Sequence, residues 1–228
     1  MLYNETAVKA NIRNRDGKRV FYLAHGDQLT SGARDFLSRE RIAIVPAEQA
    51  RPERFRLLSG GFIEEKPEHM THLNGDVLVD KLHPRIAFRG AVDELEGQLL
   101  LCQRDAQGQL KKDLGEVLDF VRELIRCDVL EEPVKREKLC GLTQEQLRQH
   151  SHRPQEFYGK PHFMPECQDG EMVLKMNLCR SVARRAELAA VAAFRDREGV
   201  PTRVDILQAM NRVSSMLYIL MIRVKSGK

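Results

Sequence analysis

The sequence predicts a mainly α-helical fold, an antiparallel helix bundle with a small α/β appendage at its N-terminal end. Three observations predict it. From Pro84 onward the apolar residues recur at i, i+3, i+4 and i+7 over long stretches, the period of helices that bury one stripe. Before residue 60 the order is strand, short helix, strand. The chain has 228 residues, 42% of them hydrophobic and 31% charged, which suits one packed domain, or one with an appendage, and not a disordered chain.

The elements follow in order. "RVFYLAHGD" alternates like a strand, "LTSGARDFLSRERI" reads as a helix capped by Thr30 or Ser31, and "IAIVPA" reads as a second strand closed by Pro46. Together they make a β-α-β unit within residues 1–60. Residues 47–76, with "ARPERF", "SGG" and "EEKPEH", are rich in breakers and charge and read as linker and loop. The division is therefore an appendage at 1–60, a linker at 61–83 and a bundle at 84–228. "HPRIAFRGAVDELEGQLLLCQ" sets Phe88, Val92, Leu95, Leu99 and Cys102 on one helical face, with Pro84 in the first turn. "KDLGEVLDFVRELIRCDVL" does the same with Leu114, Val117, Leu118, Val121, Leu124 and Ile125. "LTQEQLRQHS" carries a capping box from Thr143 to Gln146, and "EFYGKPHFMPECQDGE" is a loop. A helix over about 171–197 has the stripe Met172, Met176, Cys179, Ala183, Ala186, Ala190 and Phe194. The last helix starts at "VPTRVD", with Pro201 in its first turn and a Thr202-to-Asp205 box, and runs through Ile206, Met210, Val213, Leu217, Leu220 and Val224.

Composition excludes several classes. A net charge of +4 is too mild to argue for nucleic acid by itself. There is no apolar run of about eighteen residues, so no membrane span is expected, and the first twenty residues lack the apolar core of a signal peptide. The cysteines, 102, 127, 140, 167 and 179, are scattered without a CxxC, which suits a reducing cytoplasm and neither a disulfide frame nor a thiolate metal site. Glycine patterns of the P-loop, dinucleotide-binding and nucleophile-elbow kinds are absent.

"NLCRSVARRAEL" is the least ordinary stretch. Arg180, Arg184 and Glu187 share a helical face beside the apolar stripe. The planar fork of an arginine matches carboxylate or phosphate, so this line either pairs with acids on neighbouring helices or faces a phosphate, of a small ligand or of nucleic acid. On the last helix Gln208, Asn211, Ser215 and Tyr218 form a polar line, either a solvated rim or a ligand-facing edge. On the first helix Arg85, Arg89, Asp93 and Glu96 share a face. There Arg89 and Asp93 form a plain i, i+4 pair, or Asp93 holds an arginine of another helix or subunit. His69 with His72, and His150 with His152, lack the further ligands a structural metal needs, so no metal site is expected.

Taken together these stretches resemble a known family. "RIAFRGAVDELEG" is similar to the "RIEAYGTLDELN" segment of the propanediol-utilisation ATP:corrinoid adenosyltransferases, "CRSVARRAE" to their "ARTVCRRAE", and "LQAMNRVSSMLYIL" to their "LAYLNRLSDYLFVL". The ethanolamine-utilisation branch is nearer. "THLNGDVLVDKLHPRIAFR" resembles its "THLSAEKMVAKSDPRLGFR", "RVDILQAMNRVSS" its "RPDILQALNRLSS", and "DQLTSGARDFLSRERIAI" its "LTPSARELLESRHLRI". The propanediol-type "TKTGDxGxT" is absent, with "HMTHLNGDVLVDK" in its place. The "CCxxC" of some ethanolamine-branch members is also absent, since no cysteine precedes Cys102.

The resemblance implies transfer of the 5′-deoxyadenosyl group of ATP to reduced cobalamin, with Mg²⁺ accompanying ATP and triphosphate released. It implies that Arg184 contacts phosphate and that Arg180 pairs with Asp93, across a subunit interface. Arg185 and Glu187 complete the site, Asn211 positions ATP or its Mg²⁺, and Lys81, in a loop over ATP, adds a phosphate contact. An apolar residue lies under the corrin. Phe163 is expected there, with His162 as the other candidate and Met164 nearby. The resemblance further implies a homo-oligomer in the cytoplasm, associated with a bacterial microcompartment and serving a cobalamin-dependent ammonia-lyase, with a reductase as another partner. The rival is a protein that binds and delivers adenosylcobalamin without turnover.

Overall fold

The structure, a computed structural model, describes residues 1–15, 17–49 and 55–227. It divides into two compact units, one of Met1–Phe55 with Phe62–Glu65, the other of Arg56–Gly61 with Lys66–Lys228.

The first unit begins with β1 (Leu2–Tyr3), α1 (Glu5–Ala10), β2 (Ile12–Arg15), β3 (Lys18–Leu23) and β4 (Gln28–Leu29), and continues with α2 (Ser31–Arg39) and β5 (Ala43–Pro46). β3 and β5 pair in parallel, Val20 opposite Ala43, and α2 is the crossover that a parallel pair requires. That is the β-α-β unit read from the sequence. Of the two candidate caps it is Thr30 whose hydroxyl accepts from the Ala33 amide, at 3.3 Å. β2 lies antiparallel on the other edge of β3. Phe21, Ala33, Phe36, Leu37 and Ile42 form a core that Val8 of α1 joins. α1, β1, β2 and β4 went unread because each is two to six residues long, too short for a periodic signal.

Two short strands, β6 (Phe55–Leu57) and β7 (Phe62–Ile63), follow in chain order, then a hairpin of β8 (Met70–Asn74) and β9 (Val77–Asp80). Residues 47–76 are thus not simply loop, although 50–54 lie outside the described residues. Gly75, whose φ is 50°, and Asp76 make the two-residue turn, and Thr71 stands opposite Val79. Leu73, Val77 and Val79 bury their side chains, with Ile86 packed against them. Gly75-Asp76 between two apolar runs is a two-residue hairpin signal, which the breakers and charge of the preceding segment mask in the sequence.

The bundle is built from α3 (Pro84–Asp105), α4 (Gly108–Val129), α7 (Glu171–Ala193) and α8 (Val204–Lys225). Between α4 and α7 come the small hairpin β10 (Lys138–Leu139) and β11 (Leu142–Thr143), then α5 (Gln144–His152) and α6 (Pro154–Tyr158). α3 packs on α4 and α7, α7 on α8, and α8 on α4, which closes a ring of four. Only Ala106 and Gln107 separate α3 from α4, and Gly108 takes φ 57°, so the chain must reverse there. His83 caps α3 by accepting from the Arg85 amide at 3.2 Å, with Pro84 behind it. The predicted stripes are the core: all five apolar residues on α3 are buried, while Ile125, Met172 and Val224 at stripe margins are half-buried. Thr143 and Gln146 form the expected capping box on α5.

The start of α8 differs from expectation. Pro201 forms a bridge with Arg195 in a tight turn, where Thr202 N–H donates to Phe194 O at 2.8 Å, so α7 ends at Ala193 and α8 begins at Val204. Asp205 does not cap Thr202. Its carboxylate accepts from the Val134 amide at 3.0 Å and from Arg203 at 2.8 Å, tying α8 to the segment after α4. Among the described residues no helix is long and apolar enough to cross a membrane.

Candidate functional site

α7 presents Arg180 and Arg184 one turn apart, because residues at i and i+4 stack on one face. Opposite them α8 presents Ser214, Ser215 and Tyr218, the end of α5 presents Ser151 and His152, and the loop after α6 brings in His162. These residues line one cleft of about 320 Å³. Among the described residues no carboxylate lines it. Arg180 is half-buried and donates from Nε and Nη2 to Asn177 Oδ1 at 3.3 and 3.0 Å. Burial, and then the like charge of Arg184, hold its guanidinium below the usual arginine range. Arg184 is exposed and makes no ion pair among the described residues. Two guanidiniums of like charge, one of them held only by a neutral amide, form a site that is stabilised when an anion enters.

The floor of the cleft is aromatic. His162 stacks on Tyr218 with ring centroids 5.7 Å apart at 13°. Tyr218 Oη lies 3.1 Å from His162 Nδ1 and accepts the Phe163 amide at 3.2 Å. Phe163 packs on the bundle core, 6.0 Å from the Tyr218 ring, with Lys225 Nζ 4.3 Å from its centroid. Of the two corrin-facing candidates it is therefore His162 that lines the cleft, and Phe163 lies half-buried beside it. Met164 is 83% exposed.

The other expected residues are spread more widely. Asn211 Nδ2 donates to Glu187 Oε1 at 2.8 Å, so these two are brought together across α7 and α8. Arg185 points the other way, to an ion pair with Glu94 of α3, and does not line the cleft. Lys81 is exposed just after β9. Asp93 is exposed on α3 and pairs with neither Arg180 nor Arg89 within the chain. Arg89 is not the partner of Asp93 because a stronger one is in reach. Asp128, fully buried on α4, accepts from Arg85 Nε at 2.8 Å through one oxygen and from Arg89 Nε at 2.7 Å through the other. A buried carboxylate must be paired, and the two guanidiniums of α3 satisfy that need.

Sequence reasoning missed Ser151 and Ser214, and read His152 only as a weak metal ligand. Nothing in the local pattern of a serine on a helix marks it as cleft-lining. Among the described residues no group of three or more His, Cys, Asp or Glu side chains is placed to hold a metal ion. The cysteines are free thiols. Cys102, Cys127 and Cys179 are buried, and burial pushes the half-buried Cys140 thiol up to about 12.

The sequence model of the cobalamin adenosyltransferase family matches residues 62–224. The corrinoid adenosyltransferase EutT of Salmonella typhimurium strain LT2 is 28% identical over 241 residues, spanning 96% of this chain and 90% of that protein. EutT of Escherichia coli K12 matches with the same identity and coverage. Among solved structures, a phenylalanine-to-alanine variant of a PduO-type ATP:corrinoid adenosyltransferase from Lactobacillus reuteri, complexed with cobalamin and ATP, matches at TM-score 0.50 and 16% identity. It covers 76% of this chain and 88% of that one. A phenylalanine-to-histidine variant of the same enzyme matches at TM-score 0.50 and 17% identity, over 76% and 86%. At those identities the likeness establishes the helical fold.

Proposed function

We propose, for a chain that belongs to the cobalamin adenosyltransferase family, that it transfers the 5′-deoxyadenosyl group of ATP to reduced cobalamin and releases triphosphate. The observation that carries this is the pair Arg180 and Arg184, set one turn apart on a cleft that no carboxylate lines among the described residues. In such a displacement cobalt(I) attacks the ribose C5′ and negative charge gathers on the leaving triphosphate. The protein has little proton chemistry to do. It must hold the reactants in line and meet the developing charge with preorganised cations. Arg184, exposed and unpaired, is the phosphate contact. Arg180, restrained by Asn177, adds a second charge and, at an interface between subunits, takes Asp93 of a neighbour as partner. Lys81, at the end of the β8–β9 hairpin, supplies a third cation to ATP.

Mg²⁺ arrives on the triphosphate. It keeps most of its waters and needs only one or two protein oxygens. The Glu187 carboxylate, oriented by Asn211, is suited to that task. Arg185 is set aside from the phosphate by its pairing with Glu94. The corrin lies over His162 and Tyr218. The product supplies a cobalamin-dependent lyase of ethanolamine breakdown, with a reductase upstream, in a microcompartment. A delivery protein without turnover would have no use for a triphosphate site, which is why the enzyme reading is preferred.

The test is anaerobic. Protein, ATP, Mg²⁺ and chemically reduced cobalamin are combined, and the absorbance of a light-sensitive cobalt–carbon bond is followed. ATP-dependent formation of the alkyl product is expected. Binding of cobalamin without alkylation establishes the delivery protein instead.

A further inference from the structure

His162 raises a chemical problem if the cleft takes a corrinoid, and the hydrogen bonds around it contain the answer. A neutral imidazole is among the commonest metal ligands, and it ligates through its unprotonated nitrogen. Cobalt(II) with a nitrogen on its lower axis is hard to reduce, because the incoming electron enters an orbital directed along that axis. An imidazole free to turn towards the cobalt would therefore oppose the reaction.

His162 is not free to turn. Its Nε2 lies 3.1 Å from the backbone carbonyl oxygen of His152. A carbonyl oxygen can only accept, so Nε2 must carry the proton. In the neutral ring the single lone pair is then on Nδ1, and Nδ1 lies 3.1 Å from Tyr218 Oη. The same oxygen accepts the Phe163 amide at 3.2 Å, which leaves the phenolic hydrogen to be donated to Nδ1. Tyr218 is itself fixed, half-buried on α8 and stacked against both His162 and Phe163. Both nitrogens of His162 are thus occupied where its ring lines the cleft.

We propose that Tyr218 is a positioning residue that occupies the lone-pair nitrogen of His162, so that the imidazole packs beneath the corrin and does not ligate its cobalt. This rests on the adenosyltransferase reading. A phenylalanine at this place would need no such partner. A histidine does, and Tyr218 with the His152 carbonyl supplies it. The orientation of a ring nitrogen by an outer hydrogen bond, used in metalloproteins to favour ligation, here works against it.

The experiment labels the histidines of the whole protein with ¹⁵N and binds cob(II)alamin and ATP. Electron paramagnetic resonance then distinguishes a protein nitrogen, whose coupling is a doublet, from the ¹⁴N base of the corrinoid, whose coupling is a triplet. The wild-type spectrum is expected to lack the doublet, Tyr218→Phe to show it, and Tyr218→Phe combined with His162→Phe to lose it again. The rate starting from cob(II)alamin and a reductant, divided by the rate starting from pre-reduced cob(I)alamin, is expected to fall about tenfold in Tyr218→Phe, as is common when an outer partner of a histidine is lost. That ratio cancels general damage to the cleft. A doublet in the wild type, or none in a Tyr218→Phe protein that binds cob(II)alamin, overturns the proposal. If Tyr218→Phe does not fold, the ¹⁵N shifts of His162 in the wild type decide. Protonation at Nε2 with an unprotonated Nδ1 that accepts a hydrogen bond is expected, and protonation at Nδ1 overturns it. Wild-type protein that makes no product from pre-reduced cob(I)alamin overturns the functional reading, and this inference with it.

Discussion

Two arginine pairs of the bundle share the same spacing, Arg85 with Arg89 on α3 and Arg180 with Arg184 on α7, yet do opposite things. Between the first two sits Asp128, fully buried, with an oxygen for each guanidinium. That pair holds α3 to α4, and through Arg89 Nη1 to His72 O at 3.5 Å it reaches the β8–β9 hairpin. Of the second two, Arg180 holds only the neutral amide of Asn177, and both line an open cleft. The comparison teaches that what separates a structural arginine pair from a binding one is not the pair but its partner. Where the carboxylate is internal, the charges are spent on the fold. Where it is missing, they are available to a ligand.

The largest expected effect breaks the structural pair. Asp128→Ala leaves two half-buried guanidiniums without their anion, and loss of one side of a buried ion pair costs roughly 3–5 kcal/mol. Chemical denaturation should show a loss of that size, and a loss below about 1 kcal/mol would mean that water replaces Asp128 easily. Next comes Arg184→Ala, which acts on the other pair. Its kcat/KM should fall by roughly 2–4 kcal/mol of transition-state stabilisation, as when one donor to a developing anion is removed. Stability should change by no more than about 0.5 kcal/mol, because an exposed residue without a partner is removed. A variant that unfolds instead would make Arg184 structural, like Arg85.

A smaller effect concerns pH. Burial alone would raise the Asp205 carboxyl, but its bonds from Arg203 and the Val134 amide outweigh that and hold it at about 2, against 3.8 in a free chain. The folded value is the lower one, so the contribution is complete above about pH 4 and is lost as pH falls through 2, and its size is about 2 kcal/mol. Unfolding followed between pH 5 and pH 2 should show this acid limb flattened in Asp205→Asn. Smallest of all is Arg185→Ala. The pair with Glu94 is exposed on both sides, so stability should shift by less than about 1 kcal/mol and turnover should hold. A variant that loses activity would show that Arg185 leaves Glu94 to meet the triphosphate.

Much was legible before any coordinates. The stripes of α3, α4, α7 and α8, the Thr143 capping box and the β3-α2-β5 crossover all follow from residue spacing, because a helix or strand that must bury one face writes its period into the chain. The arginines of "RSVARRAE" could be singled out for the same reason. The start of α8 was misread because Pro201 suits a first helical turn and a tight turn equally well, and only the bridge to Arg195 chooses between them.

The sequence by itself therefore determined the helical class and the core faces, and it offered a list of candidate residues for phosphate. Only the tertiary structure decided their partners. Asp128 reaches Arg85 and Arg89 from 43 and 39 residues away, Arg185 turns to Glu94, and His162 rather than Phe163 enters the cleft because Tyr218, on α8, holds it there. The physical reason is range. Periodicity is set by near neighbours along the chain, whereas the energy of a charge or a lone pair is set by whatever group comes within about 3 Å, and that group belongs to a different element.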